Sequence, residues 1–163
     1  MNPIDAISAE LKNEAPITRR MLERVPPDKL AWKPHTKSRT LGEVAGHIAG
    51  IPGVFLGNLL QDEFDHAAYH GAVATVPEIL ETFDRNVARA FETLAALKPE
   101  QLLEKWSYRR GEHMIFELPR FVVIRSSTFN HMIHHRGQLS VYLRLLDVPL
   151  PGVYGPSADE PMR

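Results

Sequence analysis

Residues 129–138, FNHMIHHRGQ, place His131 and His135 four positions apart in a segment with helical periodicity. Because one turn of an α-helix takes about 3.6 residues, the two imidazoles project from one face. The same stripe continues through residues that are mainly apolar: Ile124, Thr128, Leu139, Tyr142 and Leu146. The pattern predicts a long helix from about Pro119 to Leu146, with both histidines directed towards the interior of a bundle.

Three further helices are predicted over about residues 3–25, 40–60 and 77–97. Pro16 can kink or split the first of them. The second begins with a capping-box pattern, in which Thr40 is followed three positions later by Glu43. The third has the clearest amphipathic stripe and is stopped by Pro99.

The segments between and after these helices predict little regular structure. Residues 102–120 have aromatic and apolar side chains on both sides of Gly111, which suits a long crossover with a short hairpin. The tail from Val148 onwards is rich in proline and glycine and predicts an irregular strap over the surface. We therefore expect an all-α fold: one domain over residues 1–163, built as a four-helix bundle with a long crossover connection.

The second helix is unusual because it contains Pro52 and a row of glycines. The glycines are spaced by three or four positions, at Gly42, Gly46, Gly50, Gly53 and Gly57. Glycine disfavours helices, so the row needs a reason. One explanation is close packing of another helix, from this chain or from a partner; the other is a frayed or broken helix.

Composition excludes several classes of protein. The chain has 19 basic and 20 acidic side chains, and this balance argues against electrostatic capture of nucleic acid. The amino-terminal residues lack the apolar run of a signal peptide, and no stretch approaches the ~20 apolar residues that cross a bilayer. We expect a cytoplasmic protein that binds neither nucleic acid nor membranes. Cysteine is absent, so a metal must be held by nitrogen or oxygen.

A third histidine completes a candidate metal site. Residues 40–50, TLGEVAGHIAG, place His47 on the second helix among apolar residues, and bundles build metal sites from side chains on facing helices. Three neutral imidazoles favour zinc, nickel, cobalt or ferrous iron over magnesium and calcium, which prefer oxygen ligands. We predict one divalent transition metal held by His47, His131 and His135, with a coordination position left for water or substrate.

Other interpretations of the histidines stay open. An HxxxH pair by itself is equally compatible with solvated or hydrogen-bonded side chains. His66 and His70 form a second such pair, which we interpret as surface histidines near a helix end. Three more lie outside the stripe or in predicted loops: His35, His113 and His134.

The carboxyl-terminal third and the second helix together resemble the DinB-like (DinB/YfiT) superfamily. The resemblance rests on residues 130–160, NHMIHHRGQLSVYLRLLDVPLPGVYGPSADE, and on TLGEVAGHIAG at 40–50. It implies a four-helix bundle with a crossover and a metal bound by three histidines, which fall on His47, His131 and His135. Nickel and zinc are usual in such proteins, dimers are common, and some relatives are thiol-dependent transferases or isomerases.

Two functions are compatible with these features. The first is a metal-dependent enzyme of transferase or hydrolase type that acts on a small molecule. Because the chain has no cysteine, a thiol-dependent reaction would use a low-molecular-weight thiol as cosubstrate. Glu43, Arg136 and Gln138 are candidate assistants, although Glu43 suits a helix cap and Arg136 a surface or interface charge. The second is a module of unknown ligand that the metal stabilises without turnover.

Overall fold

The computed structural model describes residues 2–68 and 75–161 and confirms the predicted succession of helices. Helix α1 spans Pro3–Leu22 and continues through Pro16 without a break. Helix α2 spans Leu41–Val54 and is followed by a 3₁₀ turn, Leu56–Asn58. Helix α3 spans Val76–Ala96.

Helix α4 is one helical run with a change of winding. It comprises an α-helical turn (Arg120–Val122), a π-helical segment (Val123–Asn130) and an α-helix (His131–Leu145). Segments of π-helix are rare in proteins, and those that occur are often found at functional sites. Here the π-helical segment ends at the residue before the first of the two paired histidines. The predicted stripe nevertheless stays buried at Ile124, Thr128 and Leu139.

A small sheet corrects the all-α prediction. It consists of β1 (Glu63–Asp65), β2 (Lys105–Arg110) and β3 (His113–Pro119), in the order β1-β2-β3. Strands β2 and β3 form the predicted hairpin, which turns at Gly111 with a φ of 58°. Strand β1 pairs with β2 in parallel. Strand β1 was not predicted because it is only three residues long, in an acidic stretch too short to show alternation.

The sheet lies over the helices through one aromatic face. Trp106, fully buried, and Tyr108 are two positions apart on β2 and therefore lie on the same face. Tyr108 stacks with Phe116 of β3 and Phe64 of β1, at ring-centroid distances of 5.2 and 6.2 Å. The Phe55 ring, just after α2, lies 5.3 Å from Tyr108 and connects this aromatic layer to the bundle.

Two glycines of the predicted row make room for α3 of the same chain: Gly53 in α2 and Gly57 in the 3₁₀ turn that follows it. A Cβ atom built on Gly53 would lie 2.3 Å from the Asn86 side-chain oxygen, and one on Gly57 would lie 3.2 Å from the Arg89 side chain. The Asn86 amide donates to the Ala49 carbonyl across the same contact, at 2.8 Å. Helix packing within the chain therefore explains Gly53 and Gly57.

A buried ion pair joins α1 to α4. Arg136 donates to a carboxylate oxygen of Glu14 at 2.7 Å and to the Thr18 hydroxyl at 2.9 Å. The Tyr154 hydroxyl of the tail donates to the same carboxylate at 2.8 Å. Arg136 is 2% and Glu14 4% exposed, so Arg136 is not the surface charge that the sequence suggested.

Across residues 2–68 and 75–161, none of the helices combines the length and apolar character that crossing a bilayer requires.

Candidate metal centre

Two helices bring three histidines to one point. His47 comes from the middle of α2, and His131 and His135 come from the first turns of the α-helical part of α4. One ring nitrogen from each lies within 4.8 Å of the other two. The Nε2 atoms of His47 and His131 are 3.0 Å apart. The structure thus brings together all three residues that the sequence singled out.

The spacing of these nitrogens fits a transition metal. Metal–imidazole bonds of about 2.0–2.1 Å put two nitrogens about 3.4 Å apart at a tetrahedral angle and about 2.9 Å apart at a right angle. The 3.0 Å between His47 and His131 lies inside that interval. A single N–H···N hydrogen bond would also give this distance. It would not, however, draw a third imidazole into the same cluster.

Hydrogen bonds on the far side of two rings fix which nitrogen carries the proton. His131 Nδ1 lies 3.3 Å from the Ser127 carbonyl, which can only accept, so Nδ1 is the donor. In a neutral imidazole the other nitrogen is then an unprotonated acceptor. Nε2 of His131 therefore directs a lone pair at the cluster.

A series of hydrogen bonds through Tyr142 and Gln138 shows that the proton of His135 is also on Nδ1. The Tyr142 hydroxyl donates to the Arg39 carbonyl at 3.3 Å, so its oxygen must accept from the Gln138 amide nitrogen, 3.4 Å away. That orients the Gln138 carbonyl oxygen towards His135 Nδ1, at 2.9 Å. His135 Nδ1 is consequently the donor, and its Nε2 also carries a free lone pair. Such outer partners orient ligands and raise their basicity.

Electrostatics keep the three rings neutral. Burial, followed by the charges of His135 and His131, lowers the pKa of His47 to about 3. The pKa values of His131 and His135 are also lowered, in both cases mainly by burial. All three side chains are half-buried. Neutral imidazoles are the form that binds metals, so no proton has to be displaced at neutral pH.

An aromatic ring contacts the cluster, and a positive charge influences it. The Phe55 ring lies 5.9 Å from that of His131. The positive charge of Arg39 lowers the pKa of every histidine in the cluster. The His134 ring, although exposed, packs edge-on against His135 at 4.8 Å.

Other candidate residues lie away from the cluster or serve the helices. The Thr40 backbone donates to Glu43, and the Glu43 backbone donates to the Thr40 hydroxyl, which is the predicted cap. Arg136 lies in the buried pair with Glu14, whereas Gln138 does contact a cluster histidine. The two predicted loop histidines, His35 and His113, are exposed.

The second histidine pair requires a correction. His66 is half-buried in a 3₁₀ turn and its Nδ1 lies 2.7 Å from the Tyr108 hydroxyl, so the surface interpretation of His66 was wrong. This contact could not be predicted from the sequence because Tyr108 lies on a strand 42 residues further along the chain. His70 lies outside the described residues.

Sequence reasoning missed three residues that complete the surroundings of the cluster: Ser127, Tyr142 and Phe55. Tyr142 could have been found, because it shares the predicted stripe and lies one turn after Gln138. Ser127 contributes only a backbone carbonyl, which has no sequence signature. Phe55 follows the end of α2, so helical periodicity did not place its side chain.

Comparison with solved structures places the fold among known ones. A DinB-like protein from Bacillus cereus ATCC 10987 superposes with a TM-score of 0.73 at 24% identity, covering 94% of this chain and all of that one. A DinB-like protein from Bacillus subtilis, YjoA, gives a TM-score of 0.72 at 18% identity, covering 91% of this chain and 97% of that one. These likenesses concern the fold.

Sequence comparison agrees. The chain is 25% identical to the protein YrdA of Bacillus subtilis (strain 168), which is described as uncharacterized, over 90% of this chain and 85% of YrdA. The model of the DinB family matches residues 1–162. The match spans both helices that carry the three histidines, and the chain belongs to the DinB family.

Proposed function

We propose that the protein binds one divalent transition metal, nickel or zinc with iron and cobalt as further candidates, through His47, His131 and His135. We propose further that it acts on a small-molecule substrate as a metal-dependent enzyme of the transferase or hydrolase type. In the transferase version, a low-molecular-weight thiol is the second substrate. The observation that carries the proposal is the convergence of three neutral imidazole nitrogens within 4.8 Å of one another.

The ligand set supports an enzyme over a purely structural site. Structural metal sites usually close with four protein ligands, whereas catalytic sites keep a position open. Within residues 2–68 and 75–161, no fourth histidine or acidic side chain joins the cluster. A divalent metal held by three imidazoles supplies Lewis acidity, which lowers the pKa of a water or thiol that it binds.

The chain itself supplies orientation and a restricted solvent environment. Ser127 and Gln138 hold two of the rings with Nε2 facing inwards. Phe55 packs against His131 and reduces the access of water to that side of the cluster. Because the chain has no cysteine, a thiol in the reaction must come from a second substrate.

Metal analysis of variants tests the proposal. Purified protein should hold one metal ion per chain, and His131→Ala should lose it. His134→Ala is the matched control, since that histidine is exposed and lies outside the cluster. Equal metal content in the His131 variant and the wild type would refute the site.

Activity separates the enzyme from the module that the metal merely stabilises. The metal-loaded protein should accelerate transfer of a small thiol to an electrophile, or hydrolysis of a small ester or amide, and chelation should abolish the rate. A large chelator effect on thermal melting without turnover of any of these substrates would favour the module. Homodimer formation and a cytoplasmic location remain predictions of this proposal, the first testable by light scattering.

A further inference from the structure

A row of contacting aromatic rings connects the sheet to the histidine cluster. The ring of Phe55 lies 5.9 Å from that of His131 and 5.3 Å from that of Tyr108. Phe55 is buried and follows the end of α2, the helix that carries His47. One buried ring therefore separates Tyr108 from a cluster histidine.

The helices cover the aromatic face of the sheet only in part. Trp106 is fully buried on this face, whereas the rings next to it are half-buried: Tyr108, Phe64 and Phe116. Rings on the face that packs against a bundle stay half-exposed only where the helices do not reach them. The three cluster histidines are half-buried as well. Solvent therefore reaches both the cluster and the aromatic surface to which Phe55 connects it.

Contacts on several sides hold the Tyr108 ring in place. It stacks with Phe64 of β1 and Phe116 of β3, at interplanar angles of 7° and 25°. Its hydroxyl lies 2.7 Å from His66 Nδ1, within hydrogen-bonding distance. A ring that the protein already orders loses little conformational entropy when a ligand packs against it, so more of the contact energy contributes to affinity.

We propose that Phe55 and Tyr108 form one wall of the substrate site, and that the substrate carries an aromatic group that packs against Tyr108 while its reacting group lies at the cluster. Phe55 already packs on this layer in the favoured tilted manner, at 46° to Tyr108 and 65° to Trp106. Aromatic pairs of this kind gain free energy beyond the area that they bury, which an aliphatic group does not. The inference rests on the proposed metal function and narrows its substrate to an aromatic compound.

Cobalt-loaded protein and three hydroxamates test this. The compounds share the metal-binding group and differ in the group attached to it: acetohydroxamate, cyclohexanecarbohydroxamate and benzohydroxamate. Titrations followed by cobalt absorption give a Kd for each. Binding of the same compounds to aqueous cobalt gives the intrinsic preference of the metal. In the wild type we expect the preference for the benzene over the cyclohexane compound to exceed the intrinsic one about fivefold.

The variants isolate the role of the Tyr108 ring. Tyr108→Leu should lower the preference about fivefold, whereas Tyr108→Phe should retain it, because phenylalanine keeps the ring and loses only the hydroxyl. Phe91→Leu is the matched control, since it removes a half-buried ring from the groove between α1 and α3. The Kd of acetohydroxamate should be the same in all four proteins, which shows that the metal site is intact.

The outcomes distinguish this inference from the metal proposal beneath it. A wild-type preference no greater than that of aqueous cobalt overturns the aromatic wall, and this comparison stands even if Tyr108→Leu does not fold. An unchanged preference in Tyr108→Leu, or an equal loss in Tyr108→Phe or Phe91→Leu, overturns it as well. So does bound cobalt whose spectrum none of the hydroxamates changes, because the wall requires a site that admits them. Failure of the wild type to bind cobalt overturns the metal site itself.

Discussion

Replacing Gln138 by leucine should weaken metal binding without unfolding the protein. Leucine has a similar volume but cannot accept the proton of His135 Nδ1 or donate to Tyr142. The first bond is short, 2.9 Å, and the second long, 3.4 Å, so most of the effect should come from His135. Loss of an outer partner of a metal-binding histidine typically costs about 10–100-fold in affinity. His135 is half-buried and water can partly replace the amide, so we expect about tenfold.

Competition with a chromophoric chelator measures this loss, and melting of the metal-free protein controls for folding. Gln138→Glu provides the matched comparison, because a carboxylate still accepts from His135 while losing the donor to Tyr142. We expect the glutamate variant to bind metal at least as tightly as the wild type. Unchanged affinity in Gln138→Leu, or an equal loss in both variants, would contradict the reasoning.

Two further outcomes concern stability. Arg136→Met should lower the free energy of unfolding by about 3–5 kcal/mol, because it leaves the Glu14 carboxylate buried without its cationic partner. In denaturant melts, adding Glu14→Leu to this variant should recover much of the loss. The metal-free protein should be insensitive to pH above about 6.5 and lose stability as the pH falls from there towards 3, since His47 has a pKa of about 3 when folded and near 6.5 when unfolded. The unfolded chain therefore takes up a proton that the folded one does not; chelator-treated melts at pH 7.5 and 5 that coincide would contradict this.

The paired histidines could be predicted because local periodicity determines their placement. Residues four positions apart on a helix share a face, and the apolar neighbours of His131 and His135 show which way that face points. His47 followed from the same logic on a second helix. The sequence alone does not predict that the two helices bring these histidines together, because His47 and His131 are 84 positions apart in the chain.

Strand β1 and the buried arginine could not be predicted for a different reason. Strand β1 takes its structure from β2, more than 40 residues along the chain, so three residues with no alternation become a strand. Arg136 is charged and adjoins an exposed glycine, and nothing local reveals that Glu14 and Thr18 provide buried partners. In both cases the structure depends on residues far away in the chain, and local sequence patterns do not identify those residues.

The π-helical segment is a further feature without a local signal. Residues 123–130 contain no proline or glycine, and the buried stripe continues through Ile124 and Thr128 at ordinary α-helical spacing. The change of winding nevertheless leaves Ser127 positioned to accept from His131. Uniform helical periodicity predicts the correct face for the histidines. It does not predict the hydrogen bond from His131 Nδ1 to the Ser127 carbonyl, which determines which ring nitrogen is protonated.

X-ray absorption of the zinc- or nickel-loaded protein tests the central claim most directly, because it counts the imidazoles bound to the metal. We expect a shell of three imidazole nitrogens at about 2.0–2.1 Å with one or more additional light-atom donors, falling to two imidazoles in His47→Ala. A wild-type spectrum with two imidazoles or fewer, or one that His47→Ala leaves unchanged, would contradict the account.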